Sequence, residues 1–331
     1  MADKTTTLNA LRREIDRIDD EIHDLVMRRT RVVENVRNVK RGERIKIRPA
    51  REAEIVYRLM ARHKGPFPRR ELVRIWRELI VATLSFEGPF SVAVHVPEGD
   101  TGIWDLARDQ YGSFTPMTRH ANPRTAIQAV RDQQATLGVL PLPRGDDTDP
   151  WWRHLMTTST AAPRVIARLP VAPASGRGEH PEALVICPIA SEPTGRDRTY
   201  LAIDSENGLT AEQAVDALGS MGIAARAVAS WRDDDSPLRF HLLDAAGHIP
   251  ADDRRLADFG ETQNLPKVHV LVLGGYAEPL TAEELDKVAP DEAREQGSPD
   301  EARENRTPAA DDSTAKPAPK KTAKKTKGRR R

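Results

Sequence analysis

Between residues 8 and 39, apolar side chains recur at Leu8, Leu11, Ile15, Ile18, Ile22, Leu25, Val32, Val36 and Val39, three and four apart. Arg29 fills the slot where that ladder calls for a hydrophobe. This is the stripe of a single long helix, about Leu8 to Lys40 and roughly 50 Å long at 1.5 Å per residue. Two shorter helices of the same chain do not easily cover such a length. A heptad-like stripe of that extent usually finds a second copy of itself, so the expectation is a homodimer.

The rest of the first 89 residues continues the helical reading. Gly42 stands where a C-terminal breaker belongs, and Pro49 suits the first turn of a second helix, about Ala50 to Arg62. Lys64-Gly65-Pro66-Phe67-Pro68 is a turn, and Pro68 opens a third helix with the stripe Leu72, Trp76, Leu79, Thr83, Glu87, closed by Gly88-Pro89. From Phe90 the texture alternates short β-like runs with helical stretches, as in part of an α/β layer. Strands are expected at 91–96 and 137–142 and helices at 102–111 and 123–133, while 144–197, rich in Pro, Gly and Ser, gives no clear elements. Residues 199–280 read as βαββαβ, an α+β unit, with strands at 200–204, 224–230, 238–244 and 268–273 and helices at 210–221 and 252–260. After about Leu280 hydrophobes nearly vanish, and 281–331 is expected to be disordered. The fold class is therefore multidomain: an all-α module (1–89), a partial α/β segment (90–198), an α+β unit (199–280) and a tail.

Charge is segregated along these parts. Residues 1–90 carry 21 basic and 14 acidic side chains, residues 91–315 carry 21 and 36, and residues 316–331 carry nine and none, for a net +1 over 331 residues. A uniformly basic nucleic-acid binder is excluded, although the basic tail could touch nucleic acid through counterion release; against that stands a solvated, solubilising role. No window approaches 18 consecutive apolar residues, which argues against a transmembrane helix. The opening Met1-Ala2-Asp3-Lys4 and three Thr lack the apolar stretch of a secretory signal. The single cysteine, Cys187, fits a reducing compartment, so the expected location is the cytoplasm. The nine His residues show no metal-ligand spacing, and no Gly-rich phosphate loop occurs. Trp151-Trp152 is read as a core or interface pair.

A charge inside an apolar stripe is costly unless it is paired or faces a ligand. Arg29 and Lys40, eleven residues apart, share one face of the first helix with Val33 and Val36. Arg12 points about 100° away and would serve another pocket, most naturally the partner's. Arg51 and Glu52 begin a face of the second helix continued by Ile55 and Leu59, and Thr83 and Glu87 finish the stripe of the third. Several cations and two acids with no nucleophile suit a multiply anionic small molecule that rearranges by itself. Guanidinium groups fix carboxylates, and a Lys and a protonated acid donate to an oxygen that gains charge in the transition state.

Leu8-Asn9-Ala10-Leu11-Arg12-Arg13-Glu14-Ile15-Asp16, with Arg29, Lys40, Arg51-Glu52 and the Trp76–Glu87 helix, resembles the all-helical chorismate mutases over about residues 7–88. The resemblance implies an intertwined dimer that converts chorismate to prephenate by a Claisen rearrangement with no cofactor, within aromatic amino-acid biosynthesis. It implies that Arg29 and the partner's Arg12 hold the two carboxylates with Arg51 nearby. Lys40 and Glu87 would flank the ether oxygen, Glu52 would take the ring hydroxyl, and Thr83 would add a polar contact. Arg48, where some relatives have Asp, would join through its backbone. Many relatives have Gln where Glu87 stands, so a donating Glu87 must be protonated.

The remainder resembles a worn prephenate dehydratase with a C-terminal ACT domain. Val92–Gly99 is similar to the opening of that dehydratase. Leu137–Pro143 is similar to its Gly-Val-x-Pro-Ile-Glu-Asn strand, but Pro143 and Arg144 occupy the Glu and Asn places. Arg198-Thr199-Tyr200 stands where Thr-Arg-Phe is expected. Leu273-Gly274-Gly275-Tyr276 is similar to the ACT closing strand, while the Glu-Ser-Arg-Pro ligand motif is replaced around Ala229-Ser230-Trp231-Arg232. The expectation is a mutase carrying a degenerate, non-catalytic extension. The alternatives are a bifunctional mutase/dehydratase and a non-enzymatic binding or scaffolding protein dimerised by its helices.

Overall fold

The computed structural model describes residues 2–39, 42, 45–159, 161–173, 181–206, 208–232, 236–265 and 267–287, with side chains for all of these except 2, 3, 85–87 and 262. Three helices come first: α1 (Ala2–Val39), α2 (Pro49–Arg62) and α3 (Arg69–Glu87). Pro49 at the first turn of α2 lacks a donor that the helix would leave unpaired anyway. At 38 residues, α1 is about 57 Å long. Its ladder lies uncovered: Leu8, Leu11, Ile15, Ile18, Ile22, Leu25, Val32, Val36 and Val39 are each between 42 and 87% exposed.

The described residues that follow build a nine-stranded sheet with its covering helices. Its elements are β1 (Val92–His95), α4 (Gly102–Tyr111), β2 (Met117–His120), α5 (Pro123–Arg131), β3 (Leu137–Pro141), a 3-10 turn (Trp151–Leu155), β4 (Arg164–Leu169) and β5 (Ala183–Cys187). There follow β6 (Asp197–Ser205), α6 (Ala211–Ser220), β7 (Ala225–Arg232), β8 (Arg239–Ala246), α7 (Arg254–Ala257), α8 (Phe259–Thr262), β9 (Val268–Ala277) and α9 (Ala282–Asp286). The strand order is β2-β1-β3-β5-β4-β9-β6-β8-β7. β1 pairs parallel with β2 and β3, β5 runs antiparallel to β3 and β4, and β9-β6-β8-β7 is antiparallel throughout.

The two halves of the sheet meet at a single parallel pair, Val165 with Gly274. Gly274 has φ +120°, and a Cβ there would sit 2.2 Å from the carbonyl oxygen and 2.5 Å from the amide nitrogen of Val165. Only glycine fits this crossing. The 198/199 boundary expected from the sequence falls inside β6.

Helices and loops cover both faces. Ile127, Val130, Trp151, Trp152 and Leu155 pack with Leu140, Leu184 and Ile186 on one side, and Ile103, Ala107 and Tyr111 pack with Val92, Val94, Val139 and Val185 on the other. The tryptophan pair is core, 3 and 1% exposed. α6, α7 and α8 cover β6, β8 and β9 through Leu218, Leu256 and Phe259.

Several expectations need correction. The unreadable stretch 144–197 holds two strands, β4 and β5; all of Ala183–Cys187 is buried, so no polar alternation marks it. β2 went unseen because, as an edge strand, it is half exposed. The single helix expected at 252–260 is two short ones, α7 and α8. Disorder does not begin at 281: Thr281 and Glu284 form a capping box that starts α9. Leu280 and Leu285 bury themselves among Val56, Leu59, Met60 and Val73 of α2 and α3. The tail from 288 onward lies outside the described residues.

α9 and its surroundings fasten the helices to the sheet. Arg196 pairs with Glu284 at 2.7 Å and lies 4.6 Å over the ring of Tyr57, whose hydroxyl donates to the Glu278 carbonyl. Arg70 of α3 pairs with Asp286 at 2.9 Å.

Candidate active site

The residues singled out from the sequence fall into three groups. Arg29 and Thr83 meet at one carbonyl: Arg29 Nη1 donates to Leu79 O at 3.2 Å, and Thr83 Oγ1 lies 3.3 Å from the same oxygen while donating to Ile80 O at 2.8 Å. The helical spacing that places Leu79 and Thr83 one turn apart on α3 builds this junction. Thr83 is buried and Arg29 half-buried.

Arg48 and Glu52, by contrast, sit where α2 begins, on the side facing the sheet. Arg48 Nη1 donates to Ile45 O at 3.3 Å and Ile47 O at 3.0 Å, and its Nε lies 3.7 Å from Glu192 Oε1. The Arg48 charge opposes burial at the Cys187 thiol, but burial wins and pushes that thiol up to about 12. Glu52 lines a cavity between the helices and the sheet, together with Tyr57, Arg77, Gln110, Tyr111 and Arg168. Burial, and after it the negative charge of Glu52, raises the Tyr111 phenol well above its ordinary value.

Arg12 and Arg51 form the exposed group. Arg51 Nη1 reaches Glu54 Oε2 at 2.9 Å, outside that cavity. Arg12 lies 17 residues from Arg29, roughly 25 Å along α1, so the two do not converge within one chain. Lys40 and the side chain of Glu87 lie outside the described residues. The expected convergence of all three helices on one interior site is thus seen only in part: Arg29 and Thr83 come together, while Glu52 and Arg48 turn to the sheet.

The sequence reading missed Arg77, Gln110 and Arg168, which surround Glu52. Nothing in their local spacing marks them, since they come from α3, α4 and β4 and meet only after the helices dock on the sheet.

A charged ladder slot thus docks on the third helix, with an acid and a base at the start of the second. Residues 11–88 match the family described as chorismate mutase type II. All eight candidate residues read from the sequence lie within that range. A bifunctional chorismate mutase/prephenate dehydratase from Aquifex aeolicus is 34% identical over 140 residues, 41% of this chain and 38% of that protein. A second protein of that name, from Pseudomonas aeruginosa, is 32% identical over 148 residues, 43% of this chain and 40% of its own length. The chain thus spans about two fifths of the length of these two relatives. Among solved structures, a prephenate dehydratase from Streptococcus mutans superposes with TM-score 0.39 and 14% identity, over 58% of this chain and all of that one. No helix among the described residues is long and apolar enough to cross a membrane.

Proposed function

We propose that this chain rearranges chorismate to prephenate, as a cytoplasmic homodimer serving aromatic amino-acid biosynthesis. The match over residues 11–88 carries this reading: Arg12, Arg29, Lys40, Arg51, Glu52, Thr83 and Glu87 all fall within the matched range. In the reaction the ether C–O bond breaks as a new C–C bond forms, with no proton, electron or cofactor added. The protein's task is to hold the dianion compact and to stabilise the ether oxygen. Arg29 and the partner's Arg12 grip the carboxylates, Arg51 adds positive charge, Lys40 and a protonated Glu87 donate to the ether oxygen, and Glu52 accepts from the ring hydroxyl. Thr83 and the backbone at Arg48 complete the pocket. The uncovered ladder of α1 supports the dimer: each Leu or Ile it buries contributes about 1.5–3 kcal/mol.

Residues 90–198 and 199–280 are read as dehydratase-like and ACT-like parts without chemistry of their own. A bifunctional reading draws support from likenesses of 140 and 148 residues, longer than the helical module. Against it stands the state of the residues in the Thr-Arg-Phe place. Arg198 is committed to Asp244 at 2.7 Å; Thr199 is buried, donating to Gly247 O at 2.8 Å and accepting from Ile249 N at 3.0 Å. The test is full-length protein incubated with chorismate and assayed for products. Prephenate alone is the expected result; phenylpyruvate would support the bifunctional reading, and no turnover would leave a binding or scaffolding protein.

A further inference from the structure

Far from the helical module in sequence, a hydroxyl and an imidazole meet at the edge of the sheet. Ser230 on β7 and His241 on β8 stand directly opposite each other, so their side chains share one face. Ser230 Oγ lies 2.8 Å from His241 Nδ1, and His241 Nε2 lies 2.8 Å from Leu209 O. A carbonyl only accepts, so Nε2 carries the ring proton and Nδ1 keeps a lone pair. The direction of the pair is thereby fixed: Ser230 donates its proton to the ring. His241 is 4% exposed, whereas Ser230 is exposed, so the hydroxyl is open to solvent while its base is not. Burial holds the imidazole below its ordinary value, and the charge of Arg239 adds to this, against the bond to Leu209 O and the charge of Glu212. The ring is therefore in its neutral, proton-accepting form at neutral pH.

A hydroxyl in reach of a base that a third group orients is the arrangement of an activated nucleophile. Two further features suit it to an acyl donor. β7 ends the sheet, so alternate amides along it point away from β8 without a ladder partner, and one of them lies at Ser230 or beside it. Such an N–H can receive the carbonyl oxygen that gains charge as the hydroxyl attacks. Arg232 and Arg239, opposed to each other on the same two strands, each stand two residues from the pair and on its face. Two cations against the one carboxylate of Glu212 favour a donor whose leaving group is anionic. We propose that Ser230 is an acyl-accepting nucleophile with His241 as its general base, and that its donor is an acyl phosphate. Oγ bonds to the acyl carbon while its proton passes to His241 Nδ1. The bond from the acyl carbon to the phosphate oxygen breaks, and phosphate leaves with that electron pair and takes the proton from the ring. The products are an O-acyl ester on Ser230 and inorganic phosphate. This site does not rest on the mutase reading.

The test incubates the full-length chain with acetyl phosphate, follows the intact mass over time and maps the modified peptides. Hydroxylamine cleaves an acetyl ester and spares acetyl-lysine, which separates the expected adduct from side reactions. One hydroxylamine-sensitive acetyl group on Ser230 is expected. Ser230→Ala should abolish it, and His241→Gln should slow its formation by about 100-fold, the scale of losing a general base. Ser220→Ala is the control and should leave the adduct unchanged, since that exposed serine donates to the Ala217 carbonyl at 2.7 Å. No ester adduct, an ester at other residues only, or a wild-type rate in His241→Gln would overturn the proposal. Should His241→Gln fail to fold, the wild-type chain decides the matter: Ser230 must acetylate about 100-fold faster than Ser220, and equal rates refute it.

Discussion

At position 29 a guanidinium occupies a place on α1 where its neighbours in the ladder are hydrophobes, and the carbonyl of Leu79 receives it. That contact turns the charge toward α3. The same logic sets the expectation for Lys40 and Glu87. With Lys40 donating to the ether oxygen, Lys40→Ala should lower kcat/KM by about 100-fold or more, the scale of removing one preorganised donor. A loss under about tenfold, measured with prephenate detection, would remove Lys40 from that role. Glu87 donates only while protonated, so the rate should fall as pH rises through its pKa, and Glu87→Gln should flatten the profile. A wild-type rate constant across pH 5–9 would contradict this role. Of the candidate positions, the stripes of α1 and α3 made legible that Arg29 and Thr83 lie on inward faces; that they share the Leu79 carbonyl was not legible, because it depends on how the two helices dock. The turn of Arg48 and Glu52 toward the sheet was not, because it depends on which face of α2 docks on β4 and β9.

Among the elements, legibility followed exposure contrast. α1, α2 and α3 each show an apolar stripe against a charged face, and the βαββαβ run carries turn residues at its joints. β5 shows neither, being buried on both faces between Pro181 and Pro188. The crossing of β4 over β9 had no sequence signal beyond two adjacent glycines, yet its geometry is demanding. Gly274→Ala places a methyl 2.2 Å from the Val165 carbonyl oxygen at a φ that side chains rarely adopt. The expected cost is about 3 kcal/mol or more, a drop in Tm of roughly 6–12 °C. Gly145→Ala, which meets nothing within 4 Å, should leave Tm nearly unchanged and serves as the control. Similar melting of the two variants would show that the crossing tolerates relaxation.

For the whole molecule, the uncovered face of α1 exposes nine apolar side chains of its ladder. If a second copy covers it, light scattering should give twice the chain mass of 36.8 kDa. The double substitution Ile15→Asp/Ile22→Asp, which puts two charges into the stripe, should then give monomers with little or no mutase activity, because the partner's Arg12 is lost with the interface. A wild-type chain that runs as a monomer would refute both the dimer and the shared pocket.

The position of α9 bears on how this chain is made. Leu280 and Leu285, near the far end of the described polypeptide, roof over Val56, Leu59, Met60 and Val73 from near its start. A ribosome therefore has to deliver nearly two hundred further residues after α3 before those helices receive their cover. During that interval the amino-terminal bundle carries bare oily patches, on α1 as well as beneath the missing roof, and it waits half-built for both its own carboxyl end and a sister chain.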